Sequence, residues 1–515
     1  MRSHVFPAIV PETSEKMATN SASPKTSSAE TRPVKALGLT SSTTIVMGIM
    51  IGSGIFVVSP QIARQVGSPA LLMLVWAITG FMTLAGALCY GELAAAMPQA
   101  GGQYVYLRES LGPLSGFLYG WTSFVVIQTG TIAAVCMAFA KYLGVIYPNA
   151  VSEQHWLFHW GHWGPVQFGL NTEELVAVAV IVFLTWLNTR GVRAGAWVQN
   201  VFTFAKIVAL VGLILLGVLF ARNASAIAAN FAHFWHDFFA GFFTRGSYNL
   251  SGAVGGGSIK TATIVVVFAA MVGSLFSSDS WNNITFTAGE VENPKRNLPL
   301  SLALGTLTVT AIYLLANLAY LCVLQFNQIA NAPEDRVASA MLGVVYGHAG
   351  AVLIAAAILI STFGCTNGLI LAGARVYYAM AKDGLFFKGV ARLNPSQVPG
   401  RGLWMQGLWA CLLCLSGTYT DLLNYVMFAE FLFYILTITG LFILRAKRPE
   451  MERPYKVVAY PLLPALYIAL AIFFDVVVLW VFPQYSGSGL LLVLLGVPVF
   501  YIWRGLAAKP QPRLN

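Results

Sequence analysis

Residues 48–56 read GIMIGSGIF and residues 276–283 read FSSDSWNN, and each interrupts a long apolar run near its middle. In the first, Gly52 and Gly54 flank Ser53; each glycine costs a helix interior about 1 kcal/mol relative to alanine. In the second, Ser277, Ser278, Asp279 and Ser280 stand between apolar stretches. Taken singly, each has an ordinary explanation. Gly-Ser-Gly makes a small-residue face for helix packing, and the serines make a satisfied hydrogen-bond site between helices. Taken together they carry more weight, because irregular backbone at membrane depth is tolerated only where it is buried in protein or lines a cavity.

The two interrupted runs belong to a set of twelve, at roughly 39–63, 70–96, 113–146, 173–189, 197–221, 262–289, 298–325, 346–380, 402–418, 421–445, 459–482 and 487–505. A transmembrane helix needs ~20 mainly apolar residues. Composition agrees with a lipid environment. Of 515 residues, 57% are hydrophobic and 10% charged, where a soluble domain carries about 25% charged residues. Mean hydropathy is +0.70. Soluble enzymes, fibrous proteins and nucleic-acid binders are excluded.

Lys and Arg orient the spans. With the N-terminus inside, 22 of the 30 fall on the cytoplasmic side, five on the outside and three (Lys141, Lys206, Arg375) within spans. That asymmetry accounts for the net charge of +10 without an acidic partner. The first 38 residues are polar and rich in Ser and Thr, so they are expected to form a disordered cytoplasmic tail rather than a cleaved signal peptide. The six cysteines all lie in apolar stretches, where a free thiol behaves as a small hydrophobe.

The first and sixth spans are corresponding members of two five-span halves, with the eleventh and twelfth left over. Paired interruptions of that kind point to a transporter substrate site. A half-helix beginning after Gly52-Ser53-Gly54 presents free N–H groups and a positive dipole end, which suit a carboxylate. The half-helix ending before Ser278 presents carbonyls, which suit an ammonium group. A zwitterion, an α-amino acid above all, satisfies both.

The segments GIMIGSGIF and FSSDSWNNITFTAGEVENPKRNLP resemble the amino acid–polyamine–organocation transporters, as do YGELAAAMPQAGGQYVYLRESLGPLSGFLYGW (90–121) and RAKRPEMERPYKV (445–457). The last of these and FTFAKIVAL (202–210) look most like the L-type amino acid transporter branch, and the resemblance runs from about residue 38 to 505. It implies an all-α integral membrane protein of twelve helices. Two five-helix repeats, 39–221 and 262–445, are inverted and have helices 1 and 6 unwound at mid-membrane; helices 11 and 12 (459–505) and a cytoplasmic tail (506–515) follow. It assigns the substrate carboxylate to backbone N–H groups around Gly52, Ser53 and Gly54, with the Ser53 hydroxyl assisting. The α-amino group falls to the carbonyls of Met50, Phe276, Ser277 and the position of Asp279, and Ile51 completes the substrate-binding set. Phe276 resembles the aromatic that closes over the substrate, with Trp281 beside it.

An ionisable side chain at mid-bilayer costs at least ~2.5 kcal/mol. The resemblance gives Lys206 a role: its ammonium replaces the sodium ion that sodium-coupled relatives hold between the first and eighth spans, with Ser361 or Thr362 helping, the alternative being a structural ion pair. Asp279 either receives an amino group or cationic side chain, or caps a helix. Glu92 reads as part of an inner gate or a loop contact, while Glu430 and Asp475 find no firm partner. His155, His159 and His162, spaced i, i+4, i+7, would offer a metal face on a helix, but tryptophan and histidine at that height are read first as an ordinary interfacial segment; His233, His236 and Asp237 are a weaker set. The expected metals and cofactors are none, and all seven histidines lie outside the membrane interior, against an embedded enzyme. Residues 147–172 contain no cysteine; heteromeric L-type transporters bond a heavy chain there, so a stand-alone, prokaryotic-type member is expected, a monomer or weak oligomer in the cell (inner) membrane with both termini cytoplasmic. The expected function is sodium-independent exchange of L-amino acids by alternating access. The alternative is a proton-coupled importer or an amino acid/polyamine antiporter of the same fold.

Overall fold

A computed structural model describes residues 35–163, 166–236, 244–250, 258–415 and 419–507. The protein is an all-helical, multi-pass membrane protein. Its principal helices are α1 (Leu39–Met50), α2 (Gly54–Val66), α3 (Pro69–Ala96), α4 (Gln103–Leu111), α5 (Pro113–Ile146), α6 (Thr172–Asn188) and α7 (Val192–Phe220). Then come α8 (Thr263–Ser277), a 3-10 helix (Trp281–Glu290), α9 (Pro294–Val323), α10 (Val337–Lys382), α11 (Gly400–Cys414), α12 (Tyr419–Lys447), α13 (Leu462–Val481) and α14 (Pro483–Ala507). Among the described residues nine helices are long and apolar enough to cross a membrane, ten when α1 and α2, bent by 41° at their junction, count as one span. The runs expected at 173–189 and 402–418 form α6 and α11, of 17 and 15 residues, shorter than the other spans.

The helices are built inside out relative to a soluble bundle. On α7, Trp197, Val201, Phe204, Val208, Leu215 and Leu219 form an exposed apolar face, while Gln199, Thr203 and Lys206 are buried on the other. That pattern suits a lipid solvent, where polar groups must find partners inside the protein. α1 lies against α7, α9 and α10, and α2 against α8. Because α1 also packs on the 3-10 helix that follows α8, the two interrupted spans run antiparallel and their breaks meet at one level.

Two readings need correction. Residues 35–38, taken as the end of a disordered tail, are placed: Leu37 is fully buried in a bridge to Val291, its N–H bonded to Glu290 O at 3.0 Å; residues 1–34 lie outside the described residues. The histidine-rich segment is not helical: β1 (Trp156–Trp163) pairs antiparallel with β2 (Val166–Asn171). The spacing of His155, His159 and His162 therefore has no helix to act on. A second hairpin joins β3 (Arg245–Asn249) to β4 (Ser258–Ala262). Short aromatic-rich connections pair their backbones in this way to satisfy N–H and C=O groups that no helix takes up. Asp237 lies outside the described residues, and among those described no three metal-ligating side chains cluster.

Candidate functional site

Unwinding the first span between Met50 and Gly54 releases a row of carbonyls from the helical ladder, and buried carbonyls need new donors. They find them. Lys206 Nζ on α7 donates to Gly48 O at 2.7 Å, Ile51 O at 2.8 Å and Ser361 O at 2.9 Å. Ser361 Oγ lies 3.0 Å from Ile51 O and 3.1 Å from Gly52 O. Cys365 Sγ donates to Ile49 O at 2.9 Å. The Tyr313 hydroxyl on α9 lies 3.0 Å from both Met50 O and Ser277 O, so one hydroxyl joins the two breaks. The three bonds of Lys206 match the three hydrogens of an ammonium group. Its partners are carbonyls rather than a carboxylate, so the ion-pair alternative is set aside. Thr362 turns back to its own helix, bonding Ile358 O.

On the other side of the break, Gly54 opens α2. The N–H groups of Gly54 and Ile55 stand at a helix start, where no intrahelical acceptor exists. Gly54 touches the second break directly: a Cβ there would lie 1.9 Å from Ser277 Oγ. Ser277 Oγ itself donates to Gly273 O at 2.7 Å. α8 stops at Ser277, and the chain turns through Ser280, whose φ of 64° lies in the left-handed region, into the 3-10 helix. Met50, Ile51, Gly52, Ser53, Gly54, Phe276, Ser277, Lys206 and Ser361 are thus gathered around one point, all of them buried. A helix N-terminus faces a helix C-terminus across it, the arrangement that holds opposite charges at its two ends.

Asp279 lies one step below. Its Oδ1 accepts from the Tyr434 hydroxyl on α12 at 2.6 Å, and its Oδ2 faces Ser280 Oγ at 3.4 Å. Trp281 stacks on Tyr434 with centroids 5.4 Å apart, and Tyr90 meets both edge-on at 4.9 and 5.8 Å. Trp281 therefore belongs to an aromatic layer beneath the break. Glu92 is elsewhere. Arg445 grips it through two hydrogen bonds of 2.8 and 2.6 Å, Val457 N–H donates to it at 2.7 Å, and Arg453 approaches to 3.5 Å. It is a loop contact that ties the segment after α12 to the end of α3.

Several of these partners carry no signal in the sequence. Tyr313 and Cys365 sit in apolar runs like many others and reach the site only because α9 and α10 flank α1. Arg375, an unassigned charge within a span, pairs with Glu290 through bonds of 3.1 and 3.3 Å, both side chains nearly fully buried. An arginine at that depth signals that an acid must exist, but not which one.

A family model described as amino acid permease matches residues 37–502. The chain is 30% identical over 483 residues to the human large neutral amino acids transporter small subunit 2, covering 93% of this chain and 82% of that protein. It is 29% identical over 492 residues to the mouse b(0,+)-type amino acid transporter 1, covering 95% of this chain and 90% of that protein.

Proposed function

The chain belongs to the amino acid permease family of the amino acid–polyamine–organocation transporters, and from that premise we propose that it exchanges α-amino acids across a cell membrane by alternating access, independently of sodium. The observation that carries this reading is the Lys206 ammonium seated on the Gly48, Ile51 and Ser361 carbonyls. A cation already fixed between the broken helix and α10 fills the place a coupling ion would take. With no ion to supply a driving gradient, the return of the carrier falls to a second substrate molecule. The named activities of the relatives, both amino acid transporters, support the substrate class.

In this reading the substrate carboxylate binds the N–H groups around Ser53 and Gly54, and its ammonium group binds among the Met50, Phe276 and Ser277 carbonyls, Ile51 O being already taken by Lys206 and Ser361. Met50 and Ser277 already share the Tyr313 hydroxyl. Each carbonyl oxygen has a second lone pair to offer, so Tyr313 positions the two acceptors rather than competing for them. Phe276, on the last turn of α8, closes over the site from outside. Twelve spans in two inverted five-helix repeats, plus the last two helices, fit the matched breaks and the antiparallel course of the interrupted spans. α6 and α11 then serve as short spans, and both termini lie in the cytoplasm. One relative is named a small subunit; the absence of cysteine from residues 147–172 supports a chain that works without a disulfide-linked partner.

Counterflow in proteoliposomes tests this. Labelled amino acid should accumulate in vesicles preloaded with unlabelled amino acid, equally with sodium or with potassium, and hardly at all in empty ones. Uptake that requires sodium, or that enters empty vesicles under an inward proton gradient, would overturn exchange.

A further inference from the structure

Five cationic side chains meet at one corner of the face that the transport reading places in the cytoplasm. Arg190 lies in the turn after α6, and Arg193 stands in the first turn of α7. Lys388 and Arg392 come from the connection between α10 and α11, and Arg401 from the first turn of α11. The two segments, distant in sequence, are joined in space. Asn394 Nδ2 donates to Thr189 O at 2.8 Å, and a Cβ on Gly191 would lie 3.7 Å from Ser396. Arg401 folds back over its own connection, with Nη1 2.7 Å from where a Cβ on Gly389 would stand. All five side chains are exposed.

Residues 184–205 and 384–420 contain no Asp or Glu. Among the described residues none of the five cations pairs with a carboxylate. Elsewhere on the same face cations are held: Arg108 by Asp383, Arg448 by Glu109, Arg445 and Arg453 by Glu92, and Lys295 by Glu452. Keeping a loop on the inner side requires lysine and arginine in it, but not their concentration at one point, where like charges repel. Two helix starts add to the positive excess. α7 begins after Gly191 and α11 after Pro399, neither of which supplies a side chain to cap the first-turn N–H groups, so both present a positive dipole end here.

The surroundings are those of a lipid headgroup. The Arg190 guanidinium lies over Trp186, 4.6 Å from its ring centre, and Trp404 is exposed one turn into α11; tryptophans so placed mark headgroup depth. Beyond them Phe183 on α6, Val201 on α7 and Leu408 on α11 are exposed and apolar. We propose that this corner binds an anionic phospholipid of the cytoplasmic leaflet, with its phosphate among Arg190, Arg193 and Arg401 and its acyl chains along the apolar faces below. Lys388 and Arg392 stand at the rim and draw the headgroup in, as basic clusters at a membrane surface do. The site lies apart from the substrate break. It rests on the cytoplasmic placing of this face and not on the mode of transport.

The experiment gives the full chain in detergent either dioleoyl phosphatidylglycerol or dioleoyl phosphatidylcholine and counts the lipid retained by native mass spectrometry. The wild type should retain phosphatidylglycerol at least about tenfold over phosphatidylcholine, a preference set by charge because the chains are the same. The variant carrying Arg190→Gln, Arg193→Gln and Arg401→Gln should lose the preference, while Lys295→Gln, an exposed cation elsewhere on the same face, should keep it. Inorganic phosphate in excess should not displace the lipid. Equal retention of the two lipids, a preference that survives the triple variant, an equal loss in Lys295→Gln, or displacement by inorganic phosphate, which would mark a free-anion site, would each overturn the proposal. Should the triple variant not fold, Arg190→Gln and Arg401→Gln made singly carry the comparison, each lowering the preference severalfold. Binding is read without transport, so failure of the exchange reading and failure of the lipid site are told apart.

Discussion

Gly54 leaves no room for any side chain. A methyl group there would sit 1.9 Å from Ser277 Oγ, 2.6 Å from its Cβ and 3.0 Å from its backbone Cα. The hydroxyl would swing away; the Cα would not. Overpacking of this kind costs roughly 1–3 kcal/mol, here at the contact between the two breaks. Gly54→Ala is expected to cut counterflow at least tenfold while the protein still elutes as a single species in detergent, whereas Gly343→Ala, where a methyl group meets nothing, should leave transport intact. At this scale the sequence was informative where chemistry is unusual and silent where it is ordinary. Gly52-Ser53-Gly54, Lys206 and Asp279 stand out against an apolar background. Tyr313, which bridges the breaks, does not, because a tyrosine in a membrane span is common and its partner depends on which helix lies opposite.

Elements meet through a few dense contacts, and the segment that follows α12 shows why. Glu92 at the end of α3 spends both carboxylate oxygens on Arg445 and on the Val457 N–H, and Arg445 also stacks on Tyr460 at 3.7 Å. Replacing one partner of such a buried, hydrogen-bonded pair costs about 3–5 kcal/mol. In Glu92→Ala the Lys456–Val457 peptide bond loses its anchor. Trypsin should then cut after Lys456, seen as a new fragment by mass, while the wild-type bond resists; an unchanged digestion pattern would mean that other contacts hold the segment. The motif at 445–457 was legible as a family signature, but its purpose was not, since the residue it grips is more than 350 positions away.

Across the whole molecule, charges divide into those that hold it together and those that decorate it. Lys295–Glu452 is an ion pair of 2.6 Å, yet its side chains are 52% and 73% exposed, and such pairs are worth about 0–1 kcal/mol. Arg375–Glu290, at 3% and 4%, joins α10 to the end of the 3-10 helix. Arg375→Ala should lower the thermal unfolding midpoint in detergent by several degrees and Lys295→Ala by almost none, measured on the same preparation. Hydropathy located most of the membrane body because a lipid solvent writes its demand on every exposed position, as along α7. The runs at 173–189 and 402–418 carry α6 and α11, the first to within a residue at each end. The connections were not legible in this way: the segment rich in histidine and tryptophan pairs its backbone as a hairpin.

The lysine that occupies the first break is joined to the chain by its own side chain. A free ion in that position would come and go with its concentration outside, and the shape of the unwound helix would follow. A tethered ammonium keeps the same effective concentration at any dilution. On the sodium-independent reading proposed above, the break would keep one geometry in fresh water and in brine alike, and the composition of the medium would lose its hold over when the gate is set.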